Sequence, residues 1–149
     1  MREILFRGKS ENDGQWVEGS LVITTIEPAD DAPIKHYHIE DMTIGVFPNE
    51  FQSGSSETVD PQTVGQFTGL TDKNGKKVFE GDIVRSDSVV HNGELQIPGE
   101  VFEVAMKKGC WMIVAIDTAW DFLCSNTKSC EIIGNIHDNP ELLEVSGDG

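Results

Sequence analysis

An Asn-Gly pair at residues 74 and 75 stands between two segments of alternating apolar residues, and it constrains the fold more than any other feature. Both residue types tolerate the positive φ of a tight turn, so the pair is a strong local signal for a β-hairpin. Residues 63–84 therefore predict a strand, a tip at residues 72–75, and a return strand that continues through Glu80, Gly81 and Asp82. We expect the chain to fold around this hairpin.

Alternation of apolar and polar residues predicts further strands on both sides of the hairpin. These predicted strands cover residues 4–7, 15–26, 34–39, 42–47, 99–106, 111–116 and 131–136. The first two are joined by an Asn-Asp-Gly turn and should pair as an antiparallel hairpin. One helical turn is predicted at residues 139–143, with Asn139 as its N-cap and Pro140 at its first position. The predicted class is mainly β.

A stretch rich in Ser, Gly and acidic residues, at positions 49–61, marks the main predicted boundary. It separates an N-terminal β subdomain, residues 1–55, from a second domain at residues 56–145, and residues 146–149 are expected to form a disordered tail. The predicted strands at 99–106 and 111–116 are apolar on both faces, which is typical of central strands in a small closed barrel. We therefore expect the second domain to be a barrel.

The charge balance restricts the class of partner. With 26 acidic residues against 11 basic ones, the formal net charge is −15. This excess opposes binding to a nucleic-acid backbone or to an anionic membrane. No apolar run approaches the roughly 20 residues of a membrane-spanning helix, and the N-terminus lacks the apolar segment of a signal peptide. We expect a cytoplasmic protein.

The cysteines Cys110, Cys124 and Cys130 contain no C-x-x-C pair, which predicts free thiols rather than a disulfide scaffold. Cys110 begins the most apolar predicted strand, where burial would leave its thiol unreactive. Cys124 and Cys130 flank a polar loop that contains no histidine. All three thiols are therefore expected to be structural.

Sequence motifs of enzymes are absent, including the serine-hydrolase elbow, the dinucleotide and phosphate-binding loops and the HExxH zinc motif. No catalytic residue and no cofactor are predicted. His36 and His38 alternate on a predicted strand and point to one face, so they are the candidate metal ligands, with Glu40 or a distant residue as a candidate third. The alternative is that the two histidines are an exposed or hydrogen-bonded pair with no metal, which is the more frequent role of His-x-His on a polar strand.

Two further sets of residues are candidates for binding. The densest basic set consists of turn lysines that could contact phosphate, namely Lys73, Lys76, Lys77, Lys107 and Lys108. Turn lysines ordinarily solvate hairpin tips, and the excess negative charge opposes such a site. Trp111 and Trp120 are large apolar side chains that are expected in the core rather than on a binding surface.

Four segments of the chain resemble the YopX-like phage proteins. They are MREILFRGK at 1–9, TVGQFTGLTDKNGK at 63–76, VFEGDIV at 78–84 and EIIGNIHDNPELL at 131–143. The resemblance implies a protein encoded by a phage or prophage, with an N-terminal β subdomain that takes part in self-association and a C-terminal SH3-like barrel. The family carries no established activity, so no catalytic or binding residues can be transferred to this chain.

Three functional hypotheses follow for a protein in the cytoplasm of a bacterial host. The leading one is a non-enzymatic phage accessory protein whose acidic surface binds a host or phage protein, for example by imitating the charge of a nucleic acid. The second is a ligand-binding, metal-binding or hydrolytic domain with a site between the subdomains. The third is a structural protein that acts by homo-oligomerisation.

Overall fold

The structure, a computed structural model, describes residues 3–40, 56–86, 90–91, 94–95, 100–115 and 120–144. The chain divides into two compact units, residues 1–66 and 67–149. The predicted boundary after residue 55 stays a prediction, and β4 (Ser56–Thr58) pairs with β3 (Ile34–Glu40) within the first unit.

The first unit is an antiparallel sheet in which β2 is the longest strand. Its strand order is β4-β3-β2-β1. β1 is Phe6–Lys9 and β2 is Trp16–Ile26. Phe6 lies opposite Gly19 in the β1–β2 pair, which confirms the predicted N-terminal hairpin with its first strand shifted by two residues. The predicted strand at 34–39 is confirmed as β3, whereas the one predicted at 42–47 lies outside the described residues.

Two glycines allow one face of this sheet to form a core. Ile39 and Val59 are buried there, and a β-carbon added at Gly8 would lie 3.0 Å from the β-carbon of Val59. A β-carbon at Gly19 would overlap the backbone carbonyl of Glu40. At Gly19 a side chain would overlap backbone, so glycine is required there, whereas at Gly8 a β-carbon would make only a tight contact with Val59; both glycines let the neighbouring residues approach closely.

The predicted central hairpin is present. β5 (Gly65–Thr71) and β6 (Lys77–Phe79) are antiparallel, with Thr71 opposite Lys77. The first two residues of β5 belong to the first unit, where they pair with β1. Gly75 has φ +81°, as the turn chemistry requires.

The return strand is shorter than predicted. β6 ends at Phe79, and β7 (Asp82–Ser86) begins after a turn at residues 80 and 81. Gly81 has φ +90°, which a strand does not accommodate, and a carboxylate oxygen of Asp82 accepts the backbone N–H of Phe79 at 2.8 Å. The prediction of one continuous strand through Glu80, Gly81 and Asp82 was therefore wrong, because this glycine and aspartate form a turn.

The second unit contains a five-stranded antiparallel sheet of order β12-β11-β10-β7-β13. The additional strands are β10 (Glu100–Lys107), β11 (Cys110–Val114), β12 (Trp120–Phe122) and β13 (Cys130–Asn135). The predicted strands at 99–106, 111–116 and 131–136 are thus confirmed to within about two residues. A separate two-stranded pair, β8 (Val90–His91) and β9 (Glu94–Leu95), lies in a region predicted to be mostly loop.

The described strands do not form the closed SH3-like barrel that was predicted. Closure would require β12 to pair with β13, and these two strands stand at opposite ends of the strand order. β12 is only three residues long and leads into a 3-10 turn at Leu123–Ser125. The side-chain amide of Asn126 then donates to the carbonyl of Phe122 at 2.8 Å, which holds the chain in the turn. The described part is an open sheet, and the protein is mainly β.

One face of the five-stranded sheet carries the core of the second unit. Its buried residues are Val78, Val84, Phe102, Val104, Ile113, Leu123 and Cys130. Trp111 packs against this core as predicted, while the side chain of Trp120 lies outside the described part of the chain.

The predicted C-terminal helical turn is present as α1 (Glu141–Glu144). The N–H of Leu142 donates to the backbone carbonyl of Asn139 at 3.1 Å. The side-chain oxygen of Asn139 points back along the chain and accepts the N–H of Asn135 at 3.3 Å. Residues 146–149, predicted as a tail, lie outside the described residues.

Candidate functional surface

The tip of the central hairpin is built around the carboxylate of Asp72. One of its oxygens accepts the backbone N–H groups of Asn74 and Lys76, each at 2.9 Å. The other accepts the backbone N–H of Ile132, sixty residues further along the chain, at 3.0 Å. Burial opposes ionisation, but the hydrogen bonds from Ile132, Lys76 and Asn74 and the charge of Lys76 outweigh it and lower the pKa of Asp72.

The hairpin tip also covers the outer edge of β13. In addition to the Asp72–Ile132 bond, the N–H of Lys73 donates to the carbonyl of Cys130 at 3.0 Å. The ammonium group of Lys73 lies 4.0 Å from a carboxylate oxygen of Glu131. These contacts give the turn residues a structural role, because they satisfy backbone groups of an edge strand that would otherwise face solvent.

The five lysines of the predicted basic set are held in different local environments. Lys77 lies over the ring of Phe67, with its ammonium nitrogen 5.6 Å from the ring centre. Lys108 forms the turn between β10 and β11 and has φ +51°. Lys73 contacts Glu131. Lys73 and Lys108 thus lie at hairpin turns, and Lys77 packs on an aromatic ring. A phosphate-contacting patch stays a prediction.

His36 and His38 lie on one face of β3, as predicted, with their ring centres 6.2 Å apart and the rings stacked. Both ring nitrogens of His38 face hydroxyl groups: Nε2 lies 3.4 Å from the Thr24 hydroxyl and Nδ1 lies 3.3 Å from that of Thr58. In the part of the chain that the structure describes, no group of three or more His, Cys, Asp or Glu side chains is arranged to hold a metal ion. The geometry therefore gives His38 hydrogen-bonding partners.

The three cysteines occupy different environments. Cys130 is buried in the core, as expected of a structural thiol, but Cys110 and Cys124 are exposed. The expectation that Cys110 is buried was wrong, because this residue directly follows the turn at Lys108 and Gly109 and lies opposite Lys107 at the end of the β10–β11 ladder. Position in an apolar strand did not determine burial at its first residue.

Glu103 is a partly buried carboxylate in the middle of β10. It lies opposite Ile83 on one neighbouring strand and opposite Val114 on the other. Burial among these apolar neighbours raises the pKa of Glu103; the charge of Lys107 opposes this effect and that of Glu80 adds to it. A carboxylate in this position costs free energy of folding when it is ionised.

Three exposed apolar side chains of the first unit lie toward the far end of the β2–β3 hairpin. We call residues 20–40 of this hairpin, with their connecting loop, the β2–β3 arm. Ile23, Ile26 and Ile34 are 49%, 53% and 49% exposed, and Ile26 lies directly opposite Ile34. Ile26 and Ile34 lie on one face of the arm and Ile23 lies on the other, so a partner that covers all three side chains must contact both faces. The signal in the sequence was the run Leu-Val-Ile-Thr-Thr-Ile at residues 21–26, which is apolar on both faces of the strand.

The arm extends beyond its neighbouring strands. Among the described residues, β1 pairs with β2 only as far as Gly19. β4 pairs with β3 only at residues 38–40. The loop between β2 and β3 carries Glu27, Asp30 and Asp31, so the tip of the arm is acidic. An apolar surface therefore lies next to a cluster of negative charge.

Comparisons with known proteins identify the family of this chain. No described helix is long and apolar enough to cross a membrane. No match was found among curated protein sequences. The crystal structure of protein EF1440 from Enterococcus faecalis is similar in fold, with a TM-score of 0.50 and 23% sequence identity over 96% of this chain and 99% of that one. The family model described as YopX protein matches residues 5–144. The chain therefore belongs to the YopX protein family.

Proposed function

We propose that this protein is a non-enzymatic accessory protein of a phage or prophage that binds a basic protein of the host or the phage. The observation that carries the proposal is the exposed group of isoleucines on the β2–β3 arm, Ile23, Ile26 and Ile34. Large apolar side chains at the end of a hairpin gain nothing from exposure, whereas they stabilise a complex when a partner covers them.

The three isoleucines are sufficient to make a measurable contribution to binding. Complete burial of an Ile side chain contributes about 1.5–3 kcal/mol relative to full exposure. Each of these residues is about half exposed, so covering the remainder contributes about 1 kcal/mol each, or about 3 kcal/mol in total. This free energy corresponds to about a 100-fold change in affinity.

The charge of the protein indicates the sign of the partner. A net charge of −15 attracts basic protein surfaces and repels nucleic acids and anionic membranes. The acidic tip of the arm concentrates part of this charge beside the apolar group. Imitation of nucleic-acid charge is one form of this function, in which the arm and its acidic surroundings would occupy the basic site of a nucleic-acid-binding protein.

The proposal is tested by affinity purification from a nuclease-treated bacterial host lysate at low and high salt, with quantification by mass spectrometry. The arm variant carries Ile23→Ser, Ile26→Ser and Ile34→Ser. A matched control carries Met106→Ser and Phe122→Ser, two side chains of the second unit that are 42% and 48% exposed.

Wild type and the control should retain the same basic protein at low salt and lose it at high salt, whereas the arm variant should bind it about 100-fold more weakly. Equal retention by the arm variant and the control would contradict the proposal. Retention that does not depend on salt would remove the electrostatic part of it.

A second candidate function, self-assembly, is favoured by the same exposed isoleucines, because another copy of the chain could cover them. The two functions differ in the mass of the pure protein. A mass that rises with concentration in wild type, but not in the arm variant, would favour self-assembly. A monomer mass at all concentrations would leave binding of another protein as the function of the arm.

A further inference from the structure

Among the described residues, no strand pairs with the β1-facing edge of β2 beyond Gly19. Val59 donates its N–H to the carbonyl of Tyr37, so the backbone groups of Tyr37 point away from β2. Ile23 lies opposite Tyr37, and in an antiparallel pair of this kind both residues direct their N–H and C=O groups outward. Ile23 and its neighbours two residues away, Leu21 and Thr25, therefore direct their backbone groups toward the edge on the side of β1.

No described strand occupies this part of the edge, since β1 ends opposite Gly19. The edge residues 21–26, Leu-Val-Ile-Thr-Thr-Ile, contain no charge and no proline, and all but the first are β-branched. Such a segment has high β-propensity, and proteins ordinarily protect an exposed edge of this composition with a charge, a proline or a bulge. The charges closest in sequence, such as Glu27, lie outside the segment, so the segment itself is suited to pairing.

We propose that the edge of β2 at residues 21–25 binds an extended segment of the partner protein by strand addition. This inference rests on the proposed function and specifies how and by what kind of segment the arm is bound. The added strand would accept and donate backbone hydrogen bonds at Leu21, Ile23 and Thr25, and its alternate side chains would cover Ile23 on one face of the arm and Ile26 on the other.

Charge complementarity selects the occupant. The arm, residues 20–40, carries the acidic residues Glu27, Asp30, Asp31 and Glu40 against the single cation Lys35. The bound segment should therefore have apolar residues at alternate positions and Lys or Arg at its ends, where it approaches the acidic tip. A second copy of this chain has the same acidic tip and a net charge of −15, so mutual repulsion disfavours it as the occupant.

The test uses a designed peptide, Lys-Val-Thr-Val-Thr-Val-Lys, with a fluorescent label, and a control peptide in which Glu replaces both Lys residues. Binding to the full chain is measured by fluorescence anisotropy. The Lys-flanked peptide should bind about tenfold or more tightly than the Glu-flanked one, and its affinity should fall as salt is added. Equal affinity for the two peptides would overturn the cationic assignment.

Two proline variants locate the edge. Thr25→Pro removes an outward N–H from the β2 edge and leaves the β2–β3 hydrogen bonds in place. Lys35→Pro is the matched control, because Lys35 lies opposite Thr25 and its backbone faces the other edge of the same arm. Thr25→Pro should weaken peptide binding about tenfold or more, while Lys35→Pro should not weaken it. Equal effects, or loss in Lys35→Pro alone, would overturn the proposal.

Amide hydrogen exchange in the wild-type protein gives a second readout that does not depend on the variants folding. The Lys-flanked peptide should slow exchange at Leu21, Ile23 and Thr25 and leave Lys35 and Tyr37 unchanged. Slowed exchange at Lys35 and Tyr37 alone would overturn the assignment of the edge. If wild type dimerises and Thr25→Pro abolishes the dimer, the occupant is a second copy and the cationic assignment is wrong.

The inference can fail while the proposed function holds. In that case Thr25→Pro would lose the designed peptide but would still retain the lysate protein that the arm variant loses. The partner would then cover the isoleucines without adding a strand.

Discussion

Replacement of Asp72 tests the structural role of the hairpin tip. Asp72→Asn keeps the size of the side chain and one oxygen for the local N–H groups of Asn74 and Lys76. The amide nitrogen would then face the N–H of Ile132, where the second carboxylate oxygen now accepts a hydrogen bond at 3.0 Å. A hydrogen bond to a charged group contributes about 1.5–3 kcal/mol, so the variant should lose about 2 kcal/mol of unfolding free energy at neutral pH.

Removing the whole carboxylate should cost more. Asp72→Ala also loses the two local bonds at the tip, each worth about 0.5–1 kcal/mol in a turn that water can reach, which gives about 3–4 kcal/mol in total. The control is Asp13→Asn, because Asp13 accepts a single exposed backbone N–H, that of Gln15. This variant should stay within about 0.5 kcal/mol of wild type.

The pH dependence gives the sign of the effect. The pKa of Asp72 is lowered in the folded protein, so its ionised form contributes stability above the unfolded-state pKa of about 3.9. That contribution is lost as the pH falls from there through the folded-state pKa. Urea unfolding of wild type and Asp72→Asn at pH 7 and at several values below pH 4 measures the difference. A difference below about 0.5 kcal/mol at pH 7, or one that stays constant as the pH falls, would refute the reasoning.

Two further predictions concern the second unit. Burial raises the pKa of Glu103, so the folded protein binds a proton at this carboxyl more tightly than the unfolded chain does. The protein therefore loses stability as the pH rises from the unfolded-state pKa of Glu103 through its folded-state pKa. Glu103→Gln should therefore raise the urea midpoint at pH 7 and have no effect below the unfolded-state pKa, and a lower midpoint at pH 7 would contradict this. Cys110 and Cys124 are exposed whereas Cys130 is 1% exposed, so a maleimide should label two thiols in the native protein and a third only in urea. Native labelling of Cys130, detected by peptide mass spectrometry, would contradict its burial.

Features set by a few neighbouring residues could be predicted from the sequence. The turn at the hairpin tip was predicted correctly because Gly75 adopts the positive φ that glycine tolerates. The N-terminal hairpin and the strands of the second unit were correct because alternation reports which residues face a core. The turn at Glu80 and Gly81 was missed, because the prediction continued the strand through a glycine whose φ is +90°.

Features set by packing between distant segments could not be predicted. The bond from Ile132 to Asp72 joins residues that share no local pattern. Exposure of Cys110 depends on where the β10–β11 ladder ends relative to the core. Whether the described strands close into a barrel depends on which of them pair at the two ends of the sheet. The exposure of the arm isoleucines could not be predicted either, because a strand with β-branched residues on both faces is also typical of a fully buried strand.

Site-specific photo-crosslinking in bacterial host cells tests the central claim most directly. A photoreactive phenylalanine derivative replaces Ile26 on the arm or, in a matched control, Phe122 in the second unit, since these side chains are 53% and 48% exposed. Crosslinking of one basic protein from position 26, but not from position 122, is the predicted result. Crosslinking of that protein equally from both positions, or of only further copies of this chain from position 26, would contradict the proposal that the arm binds a basic partner.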